Sequence, residues 1–360
     1  MLHQNRIEQV LINMQDALID YLIISEPSSI DYLCGVKNHP GERMYALLID
    51  AKNNEHRLFL NRLFYVSQEV GIKKVWFSDT DDSIGKLSDH LQDYSVIGID
   101  KHWSAQFLLD LQARKPNCHF VNGSFCVDKI RQVKDENEIK LMKEASLIND
   151  QAIKQLIATI QPDDTELSLS SRLLNIYKSL GASDHSFEPI VAFGKNGADP
   201  HHQNDETKIQ EGDSIIIDMG CLYKDYCSDM TRTFFYKSVS KKQEEVYEIV
   251  KNANLKAQAM IKPGVRLCDI DALARDYISS FGYGDFFTHR LGHFIGRDVH
   301  EYGDVSSQFD MEVKEGMIFS IEPGVYLPGE FGVRVEDLVV VTKDGCESLN
   351  HYSKELKIVG

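Results

Sequence analysis

The sequence lacks the features of a membrane or secreted protein. Among its 360 residues, no apolar run approaches the roughly 20 residues that a membrane-spanning helix needs. The apolar core of a signal peptide does not follow residues 1–6. Seven scattered cysteines form no repeated close pairs of the zinc-ribbon type, so we interpret them as reduced, partly buried thiols. We therefore expect a cytoplasmic protein with no membrane partner.

An excess of positive charge is also lacking. The chain has 39 Lys and Arg against 55 Asp and Glu, which gives a formal net charge of −16. It has no basic cluster or stripe. An acidic surface of this kind repels the phosphates of nucleic acids, so we expect no nucleic-acid partner.

The length predicts two domains. In the first third, short apolar runs at 21–24, 45–49 and 96–99 alternate with helical stretches, which is typical of an α/β domain with a buried sheet. The pattern changes near residue 128. We therefore assign residues 1–127 to a smaller α/β domain and residues 128–360 to a second domain.

The second domain is predicted to be α+β. Asp135 and Glu138 have the spacing of a capping box ahead of a long helix. Further helices are expected at about 165–180, 241–261 and 269–281. Because strand-like hairpin segments lie between and after these helices, the pattern favours helices grouped around hairpins over a wound parallel sheet.

Two acids lie on segments that predict a hairpin. Asp218 follows the apolar run 214–217, and Asp229 precedes the run 230–235. A turn at Tyr223 and Lys224 places Asp218 directly opposite Asp229, with Cβ atoms about 4.5–5.5 Å apart. Like charges at that distance destabilise a sheet unless a cation cancels them, so the pair indicates a divalent metal.

The same arrangement recurs further along the chain. Glu322 follows the apolar run 318–321, and Glu336 follows the segment 333–335. A hairpin centred on Gly329 places Glu322 opposite Glu336. Four carboxylates on neighbouring strands form a cage for hard divalent cations.

A histidine-rich segment lies between the two hairpins. His289, His293 and His300 fall within twelve residues and are spaced by glycines. One imidazole among carboxylates suits Mn, Co, Fe or Zn better than Ca or Mg. The segment therefore supplies a fifth candidate ligand.

These motifs resemble those of the creatinase/aminopeptidase P/prolidase group of pita-bread metallopeptidases. The likeness covers about residues 128–360, and the first third is similar to the smaller creatinase-like N-terminal domain of the same proteins. The matching motifs lie at 217–220, 228–233, 289–300, 321–324 and 334–337. Segments that look most like bacterial prolidases (Xaa-Pro dipeptidases) lie at 40–43, 194–196, 289–293 and 353–357.

The resemblance implies two divalent ions per chain, with manganese expected and cobalt or zinc as alternatives. By position, Asp218 would bind the first ion. Asp229 and Glu336 would bridge the two ions, and His293 and Glu322 would bind the second.

The resemblance also implies catalytic roles around the metals. Glu322 would shuttle the proton during hydrolysis. His201, His289 and His300 would contact the substrate or the tetrahedral intermediate. His202 is a competing candidate for the first of these, but the spacing to Asp218 favours His201. Arg334 would orient Glu336 or a neighbouring acid.

The implied reaction is hydrolysis of the peptide bond before proline in Xaa-Pro dipeptides. Candidates for binding the free carboxylate of the dipeptide are Arg43, Arg290 and Arg297. The resemblance further implies a homodimer, in which the loop 37–43 would reach the active site of the partner.

Three alternatives stay open. The first is aminopeptidase P, which acts on longer peptides. A methionine aminopeptidase fits less well, because such enzymes usually lack a large N-terminal domain. The third is a metal-free member of the fold, either creatinase-like or a binding pseudoenzyme, which the presence of all five candidate ligands disfavours.

Overall fold

The computed structural model describes residues 2–66 and 69–360. The chain divides into two compact units between Arg131 and Gln132. The predicted boundary between residues 127 and 128 lies within the helix Phe125–Gln132 and stays a prediction. Within the described ranges, none of the helices combines the length and the apolar character that crossing a membrane requires.

The first unit contains one mixed six-stranded sheet, in the order β4-β3-β2-β1-β5-β6. The strands are β1 (Tyr21–Ile24), β2 (Ala46–Asp50), β3 (Glu55–Asn61), β4 (Lys73–Phe77), β5 (Val96–Ile99) and β6 (His119–Asn122). The helices are α1 (Gln4–Asp16), α2 (Pro27–Cys34), α3 (Ser83–Ser88), α4 (Ala105–Arg114) and α5 (Phe125–Gln132).

Strand β1 explains why this sheet is buried on both faces. Leu22 and Ile24 belong to one apolar cluster, and Tyr21 and Ile23 belong to another. Because successive side chains of a strand point to opposite faces, a strand that is apolar throughout needs cover on both sides. The predicted α/β character of this unit is therefore confirmed.

The second unit has four long helices at the predicted places. They are α6 (Glu136–Ile157), α7 (Glu166–Ser179), α8 (Lys241–Met260) and α9 (Leu267–Ser279). Asp135 accepts a hydrogen bond from the backbone N–H of Glu138, and Glu138 accepts one from that of Asp135. The predicted capping box is thus confirmed.

The strands of the second unit form two larger and two smaller sheets, in the orders β20-β12-β9-β8, β14-β13-β15-β18-β19, β11-β10-β7 and β16-β17. Their first half comprises β7 (Asp184–His185), β8 (Ile190–Phe193), β9 (Ser214–Met219), β10 (Cys221–Tyr223), β11 (Tyr226–Cys227), β12 (Met230–Tyr236) and β13 (Gly292–Phe294). The second half comprises β14 (Glu301–Val305), β15 (Ile318–Ile321), β16 (Gly324–Leu327), β17 (Phe331–Arg334), β18 (Asp337–Val341), β19 (Cys346–Ser348) and β20 (Ile358–Val359). Short 3-10 turns lie at Gly194–Ala198 and Gly284–Phe286. Helices and hairpins of this kind confirm the α+β class.

The first predicted hairpin has a different register. Asp218 pairs with Thr231, not with Asp229. The turn is formed by Lys224 and Asp225, whose φ angles of 47° and 67° are those of a two-residue hairpin turn. The turn therefore lies one residue later than predicted, which shifts the partner of Asp218 by two positions. Because side chains alternate with period 2, Asp229 keeps the same face of the sheet and becomes a diagonal neighbour of Asp218.

The second predicted hairpin has the expected register. Leu327 pairs with Phe331 in β16 and β17, and Ile321 pairs with Asp337 in β15 and β18. Both ladders are centred on Gly329. Glu322 lies between the two ladders on one arm, and Glu336 lies between them on the other. The hairpin thus brings Glu322 and Glu336 opposite each other, as predicted.

Candidate metal centre

One cavity of about 280 Å³ in the second unit collects every metal-ligand and catalytic candidate. The candidates that line the cavity are His201, Asp218, Asp229, His289, His293, His300, Glu322, Arg334 and Glu336. The remaining lining residues are Phe187, Glu188, Ile190, Pro200, Arg290 and Val299. Residues from both hairpins and from the histidine segment therefore converge on a single space.

The centre of this cluster is His293. Its Nε2 lies 3.5 Å from Asp229 Oδ2 and 3.5 Å from Glu322 Oε1. Ligand atoms of Asp229, His293 and Glu336 all lie within 4.8 Å of one another. The other ring nitrogen, Nδ1, is 3.2 Å from the carbonyl oxygen of Phe294. A proton on Nδ1 would donate to that carbonyl, which leaves the lone pair of Nε2 facing the carboxylates.

Two carboxylate oxygens provide a test of whether a cation fits. Asp218 Oδ1 and Asp229 Oδ1 are buried, and neither has a hydrogen-bond partner among the residues that the structure describes. Buried polar oxygens normally have a partner, because their desolvation is otherwise uncompensated. Carboxylate oxygens beside an imidazole lone pair are the donors that a borderline divalent cation prefers. The residues therefore fit a metal.

The ionisation of these acids agrees with that fit. Burial, and then the neighbouring Asp218, raise the pKa of Asp229 well above its ordinary value. Burial together with Asp229 and Glu322 does the same to the pKa of Glu336. Burial raises the pKa of Glu322 to about 7. Without a cation, this space therefore resists holding all of its carboxylates ionised.

The histidine strand and the Glu322 strand are held together by Ser320. Its Oγ accepts a hydrogen bond from the His293 backbone N–H at 3.0 Å and donates one to Glu322 Oε1 at 3.1 Å. A side chain at Gly292 would overlap the carbonyl oxygen of Ser320. The glycine before His293 is thus needed for this close approach of two strands.

Arg334 links the two carboxylate pairs. It donates from Nη2 to Asp218 Oδ2 at 2.7 Å and from Nε to Thr231 Oγ1 at 3.0 Å. Thr231 in turn donates to Glu336 Oε2 at 2.8 Å. The sequence suggested Glu336 or a neighbouring acid as the partner of Arg334. In the structure, the direct partner is Asp218, and Glu336 is reached through Thr231.

Tyr326 is a site residue that the sequence analysis missed. Its hydroxyl lies 2.8 Å from His289 Nε2 and accepts a hydrogen bond from Arg334 Nη1 at 2.8 Å. Burial raises its pKa to about 12. A signal was available, because Gly324 pairs with Arg334 in the hairpin centred on Gly329. Period 2 then puts Tyr326 on the same face as Arg334.

His289 and His300 are held in their neutral form. Burial, followed by the charge of Arg334, lowers the pKa of His289 to about 3. Burial, followed by His293, lowers the pKa of His300 to about 4. The rings of His293 and His300 meet edge to face, with centroids 4.3 Å apart. Neutral imidazoles can accept or donate a single hydrogen bond without adding positive charge to the cavity.

The three candidate arginines differ in their surroundings. Arg290 lines the cavity and forms an ion pair with Asp304. Arg297 is not among the lining residues, and its guanidinium lies 5.4 Å from the ring centroid of Tyr226. Arg43, in the first unit, pairs with Asp79 at 2.8 Å.

Fold and site together define a metallopeptidase. The family model for metallopeptidase family M24 matches residues 140–343, and the family model for the creatinase/prolidase N-terminal domain matches residues 6–133. The chain belongs to metallopeptidase family M24 and carries the creatinase/prolidase N-terminal domain. The resemblance seen in the sequence motifs is confirmed.

Similar proteins span the whole chain. An Xaa-Pro dipeptidase of Lactobacillus helveticus is 36% identical and covers 96% of both chains. The crystal structure of a prolidase from Thermococcus sibiricus has a TM-score of 0.95 at 32% identity and covers 100% of both chains. An Xaa-Pro dipeptidase from Bacillus anthracis has a TM-score of 0.90 at 32% identity and covers 99% of both chains.

Proposed function

We propose that this protein is a prolidase, which hydrolyses the bond before proline in Xaa-Pro dipeptides. The observation that carries the proposal is the convergence of four carboxylates and His293 on one cavity, with Asp218 Oδ1 and Asp229 Oδ1 buried and without partners among the described residues. The substrate class is supported by the similarity to proteins described as Xaa-Pro dipeptidases and prolidase.

Five side chains would hold two divalent ions. Asp218 would be a ligand of the first ion, Asp229 and Glu336 would be shared by both ions, and His293 and Glu322 would be ligands of the second. When bound, such a pair of ions polarises the scissile carbonyl and lowers the pKa of the attacking water. Manganese as the native metal stays a prediction, since ligands of this type do not discriminate sharply among divalent transition metals.

Proton transfer is assigned to Glu322. Its carboxylate lines the cavity with Oε1 3.5 Å from His293 Nε2, where it could take a proton from the attacking water and return it to the leaving group. Ser320 fixes the carboxylate by donating to Oε1. The proton would pass from the attacking water to Glu322 and then to the departing proline nitrogen.

The histidines and Arg334 act on the substrate and on the acids. His300, which is neutral, would donate a hydrogen bond to a substrate oxygen or to the tetrahedral intermediate. The Nδ1 of His289 lies 2.7 Å from the Arg290 carbonyl oxygen and its Nε2 lies 2.8 Å from the Tyr326 hydroxyl, so His289 would act by fixing that hydroxyl in the cavity. His201 faces the same cavity. Arg334 balances the charge of Asp218 and keeps its carboxylate in place.

Dipeptide specificity is assigned to Arg290. Among the residues that the structure describes, Arg290 is the one arginine besides Arg334 that lines the cavity, and Asp304 holds its guanidinium. A guanidinium matches the two oxygens of a free proline carboxylate. A longer peptide presents a neutral amide at that position, so the guanidinium gains no second carboxylate partner beside Asp304.

The test compares kcat/KM for Ala-Pro and Ala-Pro-Ala with added Mn²⁺. We expect a preference of about tenfold or more for the dipeptide, because a site built for a hydrogen-bonding anion rejects analogues that lack it. Arg290→Gln should move the ratio toward one. Arg297 lies in the same segment but does not line the cavity, so Arg297→Gln should leave the ratio unchanged. A wild-type ratio near one, or one that favours the tripeptide, would transfer the assignment to aminopeptidase P and keep the metal site.

The metal-free alternative is checked by counting divalent ions in purified protein. Two ions per chain are expected, and a protein without bound metal would contradict the proposal. The homodimer also stays a prediction, which light scattering checks against twice the chain mass of 41.0 kDa. The cytoplasm stays the predicted compartment.

A further inference from the structure

The segment 194–205, which carries His201, is attached to the buried carboxylate of Glu166. Glu166 is the first residue of α7 and is fully buried. Its Oε1 accepts hydrogen bonds from the Phe193 backbone N–H at 2.8 Å and from Asn196 Nδ2 at 3.0 Å. These two contacts fix the beginning of the segment.

The other oxygen of Glu166 fixes the end of the segment. Oε2 lies 2.6 Å from His202 Nε2 and accepts from the Asp205 backbone N–H at 3.1 Å. The two adjacent histidines therefore serve different partners. His201 lines the cavity, whereas His202 contacts Glu166.

The cavity side of the segment has its own contacts. Arg334 Nη1 donates to the carbonyl oxygen of Pro200 at 3.4 Å, directly before His201. The backbone of Gly197 packs against Gly332 so closely that a methyl group on Gly332 would overlap the Gly197 carbonyl oxygen. The segment is thus held between Glu166 on one side and the Arg334 strand on the other.

Glu166, His202 and Asp205 also have the spacing of a metal-binding group. The hydrogen bonds argue for another role, since each Glu166 oxygen already has two donors. One of these donors is the buried backbone N–H of Phe193, which a cation would leave without an acceptor. The group is therefore a hydrogen-bonding hub for the segment.

We propose that Glu166 and His202 are positioning residues, which act on catalysis by holding His201 at the cavity wall. The inference rests on the proposed function, because it concerns the residue through which this segment meets the substrate. It adds to that function a role for Glu166, at the start of α7, in placing a residue of the cavity wall.

A double-mutant cycle with His201 tests the inference on Ala-Pro hydrolysis. His202→Leu removes the donor to Glu166 and should lower kcat/KM about tenfold, as misplacement of a supporting residue does. His202→Gln keeps a donor and should recover most of that loss. In a His201→Ala background, His202→Leu should lower kcat/KM no further. Metal content should stay at the wild-type value throughout.

A milder variant covers the case in which His202→Leu does not fold. Asn196 is half-buried, and Asn196→Ala removes one contact to Glu166. This variant should reduce kcat/KM by less than His202→Leu does, and again only when His201 is present. His56 is a half-buried histidine in the first unit. His56→Leu therefore controls for the loss of an imidazole, and its effect on kcat/KM should be the same with and without His201. Equal losses with and without His201, in either variant, would overturn the proposal.

A readout without turnover separates this inference from the proposed function. With Zn²⁺ in place of paramagnetic Mn²⁺, the imidazole NMR signal of His201 is assigned by its absence in His201→Ala. His202→Leu and Asn196→Ala should shift that signal, and an unshifted signal would overturn the positioning role. Absence of Ala-Pro hydrolysis in the wild-type protein would instead refute the proposed function.

Discussion

His293 and His201 both line the cavity, but their environments differ. His293 is only 4% exposed, and its Nε2 faces two carboxylates. His201 is exposed, and its backbone N–H is held by Asp199 at 3.0 Å. The first environment is that of a metal ligand, and the second is that of a side chain that meets substrate from the surface.

Substitution of each histidine by alanine should therefore give different losses. His293→Ala should lose bound metal together with activity. His201→Ala should keep its metal and lose about a hundredfold in kcat, the range expected for a group that acts on the transition state. Metal analysis beside steady-state kinetics checks both, with the exposed His351→Ala as a control. Loss of metal from the His201 variant alone would refute the ligand assignment.

At the residue scale, the sequence predicts the metal-ligand candidates better than it predicts the residues that hold the site in place. The five metal-ligand candidates could be found because each acid follows or precedes an apolar strand, and His293 lies among glycines. Tyr326 has only an indirect signal, since its place beside Arg334 follows from period 2 once the hairpin register is known. Glu166 has no local signal, because it acts through contacts up to 39 residues away in sequence. Such a residue depends on tertiary packing, which periodicity does not describe.

At the scale of elements, the two hairpins show which part of a register the sequence can specify. The turn at Gly329 has a glycine with φ of 77°, so its centre could be read from the sequence. The turn at Lys224 and Asp225 uses two non-glycine residues with positive φ and gave no comparable signal. The resulting error was two positions. Because the error was even, Asp218 and Asp229 still share a face, and the predicted metal site survived the wrong register.

Close packing between elements gives a second prediction. Gly332→Ala should displace the Gly194–Ala198 turn, because the new methyl group would overlap the carbonyl oxygen of Gly197. We expect kcat/KM for Ala-Pro to fall about tenfold and the free energy of unfolding to fall by about 1–3 kcal/mol. Metal occupancy should fall less than the rate, since no metal-ligand candidate lies on the displaced turn.

Gly345→Ala is the matched control. Within the described part of the chain, a methyl group there would meet only the carbonyl oxygen of Ile261, at 3.9 Å, which is ordinary van der Waals contact. Its kcat/KM and melting temperature should stay near those of the wild type. A Gly332→Ala enzyme with the same kinetics as Gly345→Ala would contradict the packing argument.

At the scale of the whole molecule, the two units have separate cores. Apolar clusters around β1 lie within residues 1–131, and those around β9 and β15 lie within residues 132–360. Every candidate metal ligand belongs to the second unit. The division into an α/β and an α+β part could be predicted from the sequence, because the hydrophobic pattern changes near residue 128.

Metal removal should therefore lower the stability of the second unit alone, by an amount that depends on pH. In the metal-free protein, the pKa of Glu322 is raised to about 7, and those of Asp229 and Glu336 are also raised. Acids with a raised folded pKa destabilise the folded state as pH rises from their unfolded pKa, about 4, toward the folded pKa. A divalent ion binds the ionised forms and offsets this penalty. The gain in melting temperature on adding Mn²⁺ to chelator-treated protein should therefore increase from about pH 5 to about pH 8.

Calorimetry of metal-loaded and chelator-treated protein checks this linkage. The transition of residues 132–360 should shift on metal removal, and that of residues 1–131 should not. Asp229→Asn supplies the control, because it removes one of the repelling charges together with a metal ligand. This variant should melt higher than the metal-free wild type at about pH 8 and respond little to Mn²⁺, since a neutral amide adds no repulsion to Asp218 and Glu336. A metal effect that is independent of pH, or one that shifts both units alike, would exclude the buried carboxylates as its source.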